Sequence, residues 1–156
     1  MFIKKNLEYQ KLPLPHKVSM SDFEMMSSIE SFREYMLKRH TVRDFSKRSV
    51  DFAIIQKAIQ IAGSAPSGAN HQPWHFVAIS NKDIKKSIRE AAEIEENKFY
   101  SGGASDEWIK ALEPIGTNAN KPHLEIAPWL IIIFAERFGT FDDGSKYKNY
   151  YVPESV

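Results

Sequence analysis

The sequence predicts an α/β or α+β fold, because helical and strand patterns alternate along a single chain. The chain has 156 residues, of which 42% are hydrophobic, so one domain with a substantial core is expected. Two short apolar segments, WHFVAIS at 74–80 and PWLIIIFAE at 128–136, have the length and composition of buried strands. Segments with helical periodicity precede these strands and separate them.

Residues 1–19 are predicted to form an irregular N-terminal arm, since Pro13 and Pro15 favour an extended chain. Residues 20–156 are then expected to form the domain. Its first helix is predicted over about 22–38, with basic residues at the C-terminal end, where the helix dipole favours them. Three apolar side chains fall on one stripe of this helix: Ile29, Phe32 and Met36.

Three further helices are predicted, over about 50–62, 82–100 and 106–112. The first of them has Ser49 as a candidate N-cap and Gly63 as its stop signal. The helix over 82–100 has an apolar stripe predicted to face the core: Ile84, Ile88, Ala91, Ala92 and Phe99. Four glutamates are predicted on its outer, solvated face: Glu90, Glu93, Glu95 and Glu96. The segment FGTFDDGSK, 138–146, is predicted to be a loop.

Composition argues against several classes of function. Lys and Arg total 21 against 20 for Asp and Glu, which gives no electrostatic reason to expect nucleic acid or an anionic membrane surface as a partner. The chain has no cysteine, which excludes disulfides, thiolate nucleophiles and Cys-ligated metals. No apolar run approaches the roughly 20 residues that span a bilayer, and the N-terminus lacks the pattern of a signal peptide. We therefore expect a cytoplasmic protein.

The segment KRHTVRDFS, 38–46, places two arginines and a threonine between two predicted helices. The planar guanidinium groups of Arg39 and Arg43 can each bind two oxygens of a phosphate, and Thr41 adds a hydroxyl donor. A solvated basic turn is the alternative interpretation of this segment.

The segment APSGANHQPWHF, 65–76, begins with residues that have very little side-chain bulk. Such a loop allows the backbone to approach a flat ligand closely, and a tight connection between helix and strand is the alternative, which such segments form more often. His71 and His75 have the spacing of a helical metal pair, but Pro73 between them disfavours a helix, and no metal site is expected.

A carboxylate, a phenol and an ammonium group form a third candidate set. Glu96 and Tyr100 are four residues apart on a predicted helix, so they are expected on one face, and Lys121 stands in a later irregular segment. Together they have the charges needed to bind an amino acid: Glu96 for its α-ammonium group, Tyr100 and Lys121 for its α-carboxylate. Such sets also occur by chance on helical surfaces.

These three segments, taken in order, resemble the FMN-dependent nitroreductase superfamily. The form APSGAxxxPWxF and the pair EENKFY and TNANKPHLEIAP are similar to its iodotyrosine deiodinase branch, and the similarity covers about residues 28–156. The resemblance implies an α+β fold, a three-layer α-β-α arrangement with a mixed central sheet. It also implies that the chain, which stops at YYVPESV, lacks the C-terminal part of that fold.

The resemblance implies a role for each matching residue. One set is expected to bind FMN: Arg39, His40, Thr41, Val42, Arg43, Pro66, Ser67 and Gly68. A second set is expected to bind the substrate: Ala69, through its backbone N–H on the phenolate, with Glu96, Tyr100 and Lys121 on the amino-acid end. His40 stands where arginine is common in the family, which puts one phosphate contact in doubt.

The implied function is FMN-dependent reductive dehalogenation of 3-iodotyrosine and related halotyrosines, giving tyrosine and halide. The electrons are expected from NAD(P)H or from a reduced flavin or ferredoxin partner, and the resemblance implies a homodimer with shared active sites. Two alternatives stay open: a general FMN-dependent NAD(P)H nitroreductase or quinone reductase, and an inactive fragment of either enzyme.

Overall fold

The computed structural model describes residues 10, 11, 13, 14 and 18–156. The chain divides into two units, Met1–Val42 and Arg43–Val156. Most of the predicted arm over 1–19, including His16, lies outside the described residues, so the arm stays a prediction.

The first unit contains helix α1, Asp22–Met36, which ends slightly earlier than the predicted limit near residue 38. A capping box begins it: Ser21 Oγ accepts the Glu24 N–H at 3.4 Å, and Glu24 Oε2 accepts the Ser21 N–H at 2.7 Å. The bond from the Ser21 backbone is the main reason that the pKa of Glu24 lies below its usual range. The predicted stripe of Ile29, Phe32 and Met36 remains between 41% and 58% exposed.

The second unit contains five helices and four strands. The helices are α2, Phe52–Ala62; α3, Lys82–Lys98; α4, Asp106–Leu112; and two single turns, α5, His123–Ile126, and α6, Val152–Ser155. The strands are β1, Trp74–Ile79; β2, Leu130–Ala135; β3, Phe138–Thr140; and β4, Lys146–Lys148. No helix in the part of the chain that the structure describes is both long enough and apolar enough to cross a bilayer.

Helix α2 begins later than predicted and has a different cap. Asp51, not Ser49, is its N-cap, and its Oδ1 accepts the Ala53 N–H at 2.7 Å. The two-residue offset arises because a carboxylate at the start of a helix satisfies a free N–H and also interacts favourably with the helix dipole. Gly63 is the C-cap, as predicted, with a right-handed φ of −70°.

Strands β1 and β2 pair in antiparallel register, from Trp74 opposite Ala135 to Ile79 opposite Leu130. The prediction that β2 is a buried strand was wrong, because Ile131, Ile133 and Phe134 are 42%, 49% and 53% exposed. Ile131 and Ile133 lie on one face of the strand and Phe134 on the other, so neither face is fully covered. β1 is half-buried at all but one of its positions.

The predicted loop over 138–146 was wrong in part, since β3 and β4 form an antiparallel hairpin with Phe138 opposite Lys148. Asp143 Oδ1 accepts the Ser145 N–H at 2.9 Å, and Gly144 has a φ of +81°. Asp-Gly between two strand-forming segments is a recognised hairpin signal, so this element was readable in the sequence.

The covered face of helix α3 was predicted only in part. Ile88 and Ala92 of the predicted stripe are half-buried, whereas Glu93 and Glu96, predicted on the solvated face, are half-buried as well. Lys85 is buried at 5% exposure, and Arg89 and Glu93 are largely covered, whereas Ile84 and Ile94 are 49% and 58% exposed. Helix α3 packs against α5, whose flanks offer carbonyl, carboxylate and N–H partners, and these compensate the cost of covering charged groups.

Candidate active site

The structure brings Glu96 and Lys121 into direct contact. Lys121 Nζ lies 2.9 Å from Glu96 Oε2 and donates a hydrogen bond to the Asn118 carbonyl at 2.8 Å. The two side chains are 17% and 35% exposed, for Lys121 and Glu96 respectively, so the ion pair is partly shielded from water. A carboxylate from α3 and an ammonium group from a distant loop are therefore held at one place.

Tyr100 contacts the same loop from just beyond the end of α3. The helix ends at Lys98, and Tyr100 lies in the wider π-type turn that continues it, Phe99–Gly103, in which only Ser101 and Gly102 have non-helical backbone angles. Gly102, at φ +117°, is non-helical within this turn. The Tyr100 hydroxyl lies 3.0 Å from Thr117 Oγ1. All three side chains thus contact the segment 117–121.

A pocket of about 240 Å³ opens beside this segment. It is lined by basic, polar and apolar residues: Arg43, Asp44, Ile115, Gly116, Thr117, Asn118, Asn120, Lys121, Pro122 and His123. Burial is the main cause that lowers the pKa of His123 below its usual value, and the positive charges of Arg43 and Lys121 lower it further. The donor groups and this excess of basic groups suit a ligand with an anionic end.

The sequence interpretation missed the polar contacts along α3. Lys85 Nζ donates to the Ala127 carbonyl at 2.6 Å, and Arg89 Nε donates to Glu125 Oε2 at 2.7 Å. Glu93 accepts from Arg89 at 2.6 Å and from the Lys121 backbone N–H at 2.8 Å. The spacing of Lys85, Arg89 and Glu93 is i, i+4, i+8, which marks one helical face and was the available signal.

The loop before β1 is held by its own polar groups. Gln72 N–H donates to Ser67 Oγ at 2.8 Å, and the Gln72 side-chain amide donates to Ser67 Oγ at 3.2 Å and Asn70 Oδ1 at 3.1 Å. Ala69, Asn70 and Gln72 have φ values of 51°, 52° and 50°. Left-handed backbone at non-glycine residues is uncommon, and these bonds supply local interactions that support it.

Gly68 has a packing partner within the chain. A Cβ atom at Gly68 would lie 2.6 Å from Cβ and Cδ2 of Tyr151. The Gly68 N–H donates to Ser155 Oγ at 3.3 Å. The backbone at Gly68 was expected to lie close to the ring of a ligand. In the structure it lies close to the ring of Tyr151, the N-cap residue of α6.

The basic segment falls at the boundary between the units. Arg39, His40, Thr41 and Val42 end the first unit and are exposed, while Arg43 begins the second and lines the pocket.

His71 and His75 have different neighbours: the His71 ring stacks on Tyr147 at 6.3 Å between centroids, and His75 Nδ1 lies 3.6 Å from Glu136 Oε1.

Comparison with known proteins gives the family. The model of the nitroreductase family matches residues 36–152 of this sequence. The chain belongs to the nitroreductase family. The resemblance seen in the sequence and the α+β class are therefore confirmed, with antiparallel pairing in both strand pairs of the described residues.

This nitroreductase-family chain is similar to curated iodotyrosine deiodinases. It is 47% identical to the iodotyrosine deiodinase of Haliscomenobacter hydrossis over 85% of this chain and 60% of that protein. It is 35% identical to iodotyrosine deiodinase 1 of Homo sapiens over 98% of this chain and 52% of that protein. The chain thus spans about half to three fifths of the length of these relatives.

Two solved structures of flavoproteins are also similar to this chain. An oxidized iodotyrosine deiodinase bound to FMN and 3-iodo-L-tyrosine matches with a TM-score of 0.64 and 31% identity, over 67% of this chain and 56% of that one. A BluB-like flavoprotein from Clostridium difficile 630 matches with a TM-score of 0.52 and 27% identity, over 71% of this chain and 50% of that one.

Proposed function

We propose that this nitroreductase-family protein catalyses FMN-dependent reductive dehalogenation of 3-iodotyrosine and related halotyrosines to tyrosine and halide. The contact between Glu96 and Lys121 carries the proposal, because it places the two charges complementary to an amino-acid zwitterion side by side. The names of the relatives and the ligands of the similar solved structure support it.

The residues present fit FMN by their chemistry. Arg39, Thr41 and Arg43, with His40 and Val42 in the same segment, offer guanidinium, hydroxyl and backbone donors for a phosphate and a ribityl chain. The loop that contains Pro66, Ser67 and Gly68 has small side chains and is fixed by the bonds of Gln72, which suits a flat ring. When bound, FMN would supply the electrons for the reaction.

The substrate end of the proposal rests on an exchange of partners. A bound zwitterion would place its ammonium group on Glu96 and its carboxylate on Lys121, with the Tyr100 hydroxyl as a further donor. Each charge would keep an opposite charge beside it, so opening the existing ion pair does not leave either group unpaired. The ligand charges therefore replace one salt bridge by two.

The remaining contact concerns the phenol ring. We propose that the Ala69 backbone N–H donates to the phenolate oxygen and orients the halogen-bearing carbon. In the net reaction the carbon–halogen bond is replaced by a carbon–hydrogen bond, two electrons and a proton are consumed, and halide leaves. A donor fixed at the phenolate would stabilise negative charge during this change.

Three further properties belong to the same proposal. They are a homodimer with shared active sites, NAD(P)H or a reduced flavin or ferredoxin partner as electron source, and a domain formed by residues 20–156 after the arm. The cytoplasmic location stays a prediction from the sequence.

A binding and turnover experiment tests the proposed function. The protein is reconstituted with FMN, its flavin fluorescence is titrated with 3-iodo-L-tyrosine, and iodide release is measured after chemical reduction. We expect 3-iodo-L-tyrosine to quench the flavin fluorescence saturably, and tyrosine and iodide to form in equal amounts. Reduction of a nitroaromatic without any response to iodotyrosine would instead support a general nitroreductase, and failure to retain FMN would support an inactive fragment.

A further inference from the structure

One face of α3 holds the segment 121–127 by four polar groups in sequence. Lys85 bonds the Ala127 carbonyl, Arg89 bonds Glu125, Glu93 bonds the Lys121 N–H, and Glu96 pairs with the Lys121 ammonium group. We name these four side chains of α3 the polar ladder. As the ladder runs towards the C-terminus of α3, its partners run towards the start of α5, so the two segments are antiparallel.

Two side chains of the polar ladder, Glu93 and Glu96, act on Lys121 in different ways. Glu96 contacts the ammonium end of the Lys121 side chain, where the ligand is proposed to bind. Glu93 contacts the backbone N–H of the same residue at 2.8 Å, where no ligand group is proposed. Glu93 thus fixes the point from which the Lys121 side chain extends.

Glu93 is itself fixed. Its second oxygen accepts from Arg89 Nη1 at 2.6 Å, and Arg89 donates in turn to Glu125 in α5. The side chains of Arg89 and Glu93 are 22% and 23% exposed, so water competes with these bonds only in part. Charge-assisted bonds of this length are about twice as strong as neutral ones, which makes the Glu93 carboxylate a rigid acceptor.

We propose that Glu93 is a positioning residue of the substrate site, which holds the Lys121 backbone so that its ammonium group meets the carboxylate of an amino-acid ligand. This inference rests on the proposed function. It assigns to Glu93 no contact with the ligand, and a merely structural glutamate would not select between ligands with and without an amino-acid end.

The experiment compares Glu93→Ala and Glu93→Gln with the unaltered chain. The affinity of the FMN-loaded protein is measured for 3-iodo-L-tyrosine and for 2-iodophenol, which lacks the zwitterion. We expect Glu93→Ala to bind iodotyrosine about tenfold more weakly, from loss of one bond to a charged group, and to bind iodophenol unchanged. Glu93→Gln keeps an amide oxygen for the Lys121 N–H and should recover a large part of the affinity.

Glu95→Ala is the matched control, since Glu95 is 72% exposed and pairs only with Lys98 on the solvent side of the same helix. Its iodotyrosine affinity should equal that of the unaltered chain. The positioning role would be overturned if Glu93→Ala bound iodotyrosine as tightly as the unaltered chain does. It would also be overturned if Glu93→Ala lost the same affinity for both ligands. Because Glu93→Ala could unfold, circular dichroism is recorded for each variant, and Glu93→Leu, which fills the same space without an acceptor oxygen, takes its place if the alanine variant is unfolded.

A second measurement separates this inference from the proposed function. Hydrogen exchange of the Lys121 amide is followed by NMR without any ligand. We expect faster exchange in Glu93→Ala than in Glu95→Ala, and equal rates would overturn the inference whether or not iodotyrosine binds. If the unaltered chain binds no iodotyrosine at all, the proposed function is wrong, and the role of Glu93 in ligand positioning is overturned with it.

Discussion

The ring of Tyr151 occupies the space that a side chain on Gly68 would need. The glycine in the loop before β1 is therefore required by a contact inside the chain. A ligand ring on the same loop would have to use another side of the backbone. The contact also links the loop to α6, where Ser155 accepts the Gly68 N–H.

Gly68→Ala should destabilise the chain. The added Cβ would lie 2.6 Å from Tyr151 atoms, and overpacking of this kind costs about 1–3 kcal/mol in the free energy of unfolding. Urea denaturation measures the loss. In a Tyr151→Gly background the same change should cost much less, because Tyr151 has a φ of 58° that glycine adopts freely and its ring is gone. Equal losses in both backgrounds would show that the two residues do not interact.

Glu96→Gln and Lys121→Ala should each weaken 3-iodo-L-tyrosine binding much more than FMN binding. A fully buried charge left unpaired costs about 2–5 kcal/mol, and since Glu96 is 35% exposed we expect about 1–3 kcal/mol in binding free energy. Fluorescence titration of the bound flavin provides both affinities. Glu95→Gln should behave as the unaltered chain. Unchanged iodotyrosine affinity in both site variants would remove the proposed amino-acid clamp.

Arg43→Ala should reduce FMN retention. If this guanidinium binds the FMN phosphate, its loss removes charge-assisted bonds, and we expect FMN affinity to fall about tenfold or more. Flavin content after dialysis measures this, with Arg39→Ala expected to give a similar loss. Arg48→Ala removes the same charge and is the control, because Arg48 is exposed and lies between α1 and α2 in the sequence. Loss of the same size in the Arg48 variant would indicate a general effect of net charge.

Acid should destabilise the second unit through His123. Its pKa is lowered in the folded state, so below the ordinary value of 6.5 the unfolded chain takes up the proton more readily. Stability is therefore lost as the pH falls through 6.5, and the loss is complete below the folded pKa. His123→Asn should flatten the dependence of the unfolding free energy on pH from about 6.5 downwards.

The elements with strong local signals were predictable, and those that depend on partners were not. The length of α4 and the limits of β1 followed from caps and apolar runs to within about one residue. The covered face of α3 was predicted only in part, because its apolar stripe does not include Lys85 and Arg89, whose partners lie in α5 and its flank. Hydrophobic periodicity contains no information about such partners.

The same limit applies to the candidate site. The sequence suggested that Glu96, Tyr100 and Lys121 act together, and the structure contains an ion pair between Glu96 and Lys121. The contact of the Tyr100 hydroxyl with Thr117 was not predicted, since 17 residues separate the two side chains in the chain. The contact of Gly68 with Tyr151 joins positions too far apart in the chain for any local pattern to predict it.

The polar ladder makes the hold of α3 on residues 121–127 depend in part on ion pairs. Contacts between hydrocarbon surfaces strengthen or stay constant when salt is added, whereas partly exposed ion pairs weaken as counterions screen them. Added salt is therefore expected to loosen the hold of α3 on residues 121–127 without weakening the apolar contacts of the strand pair.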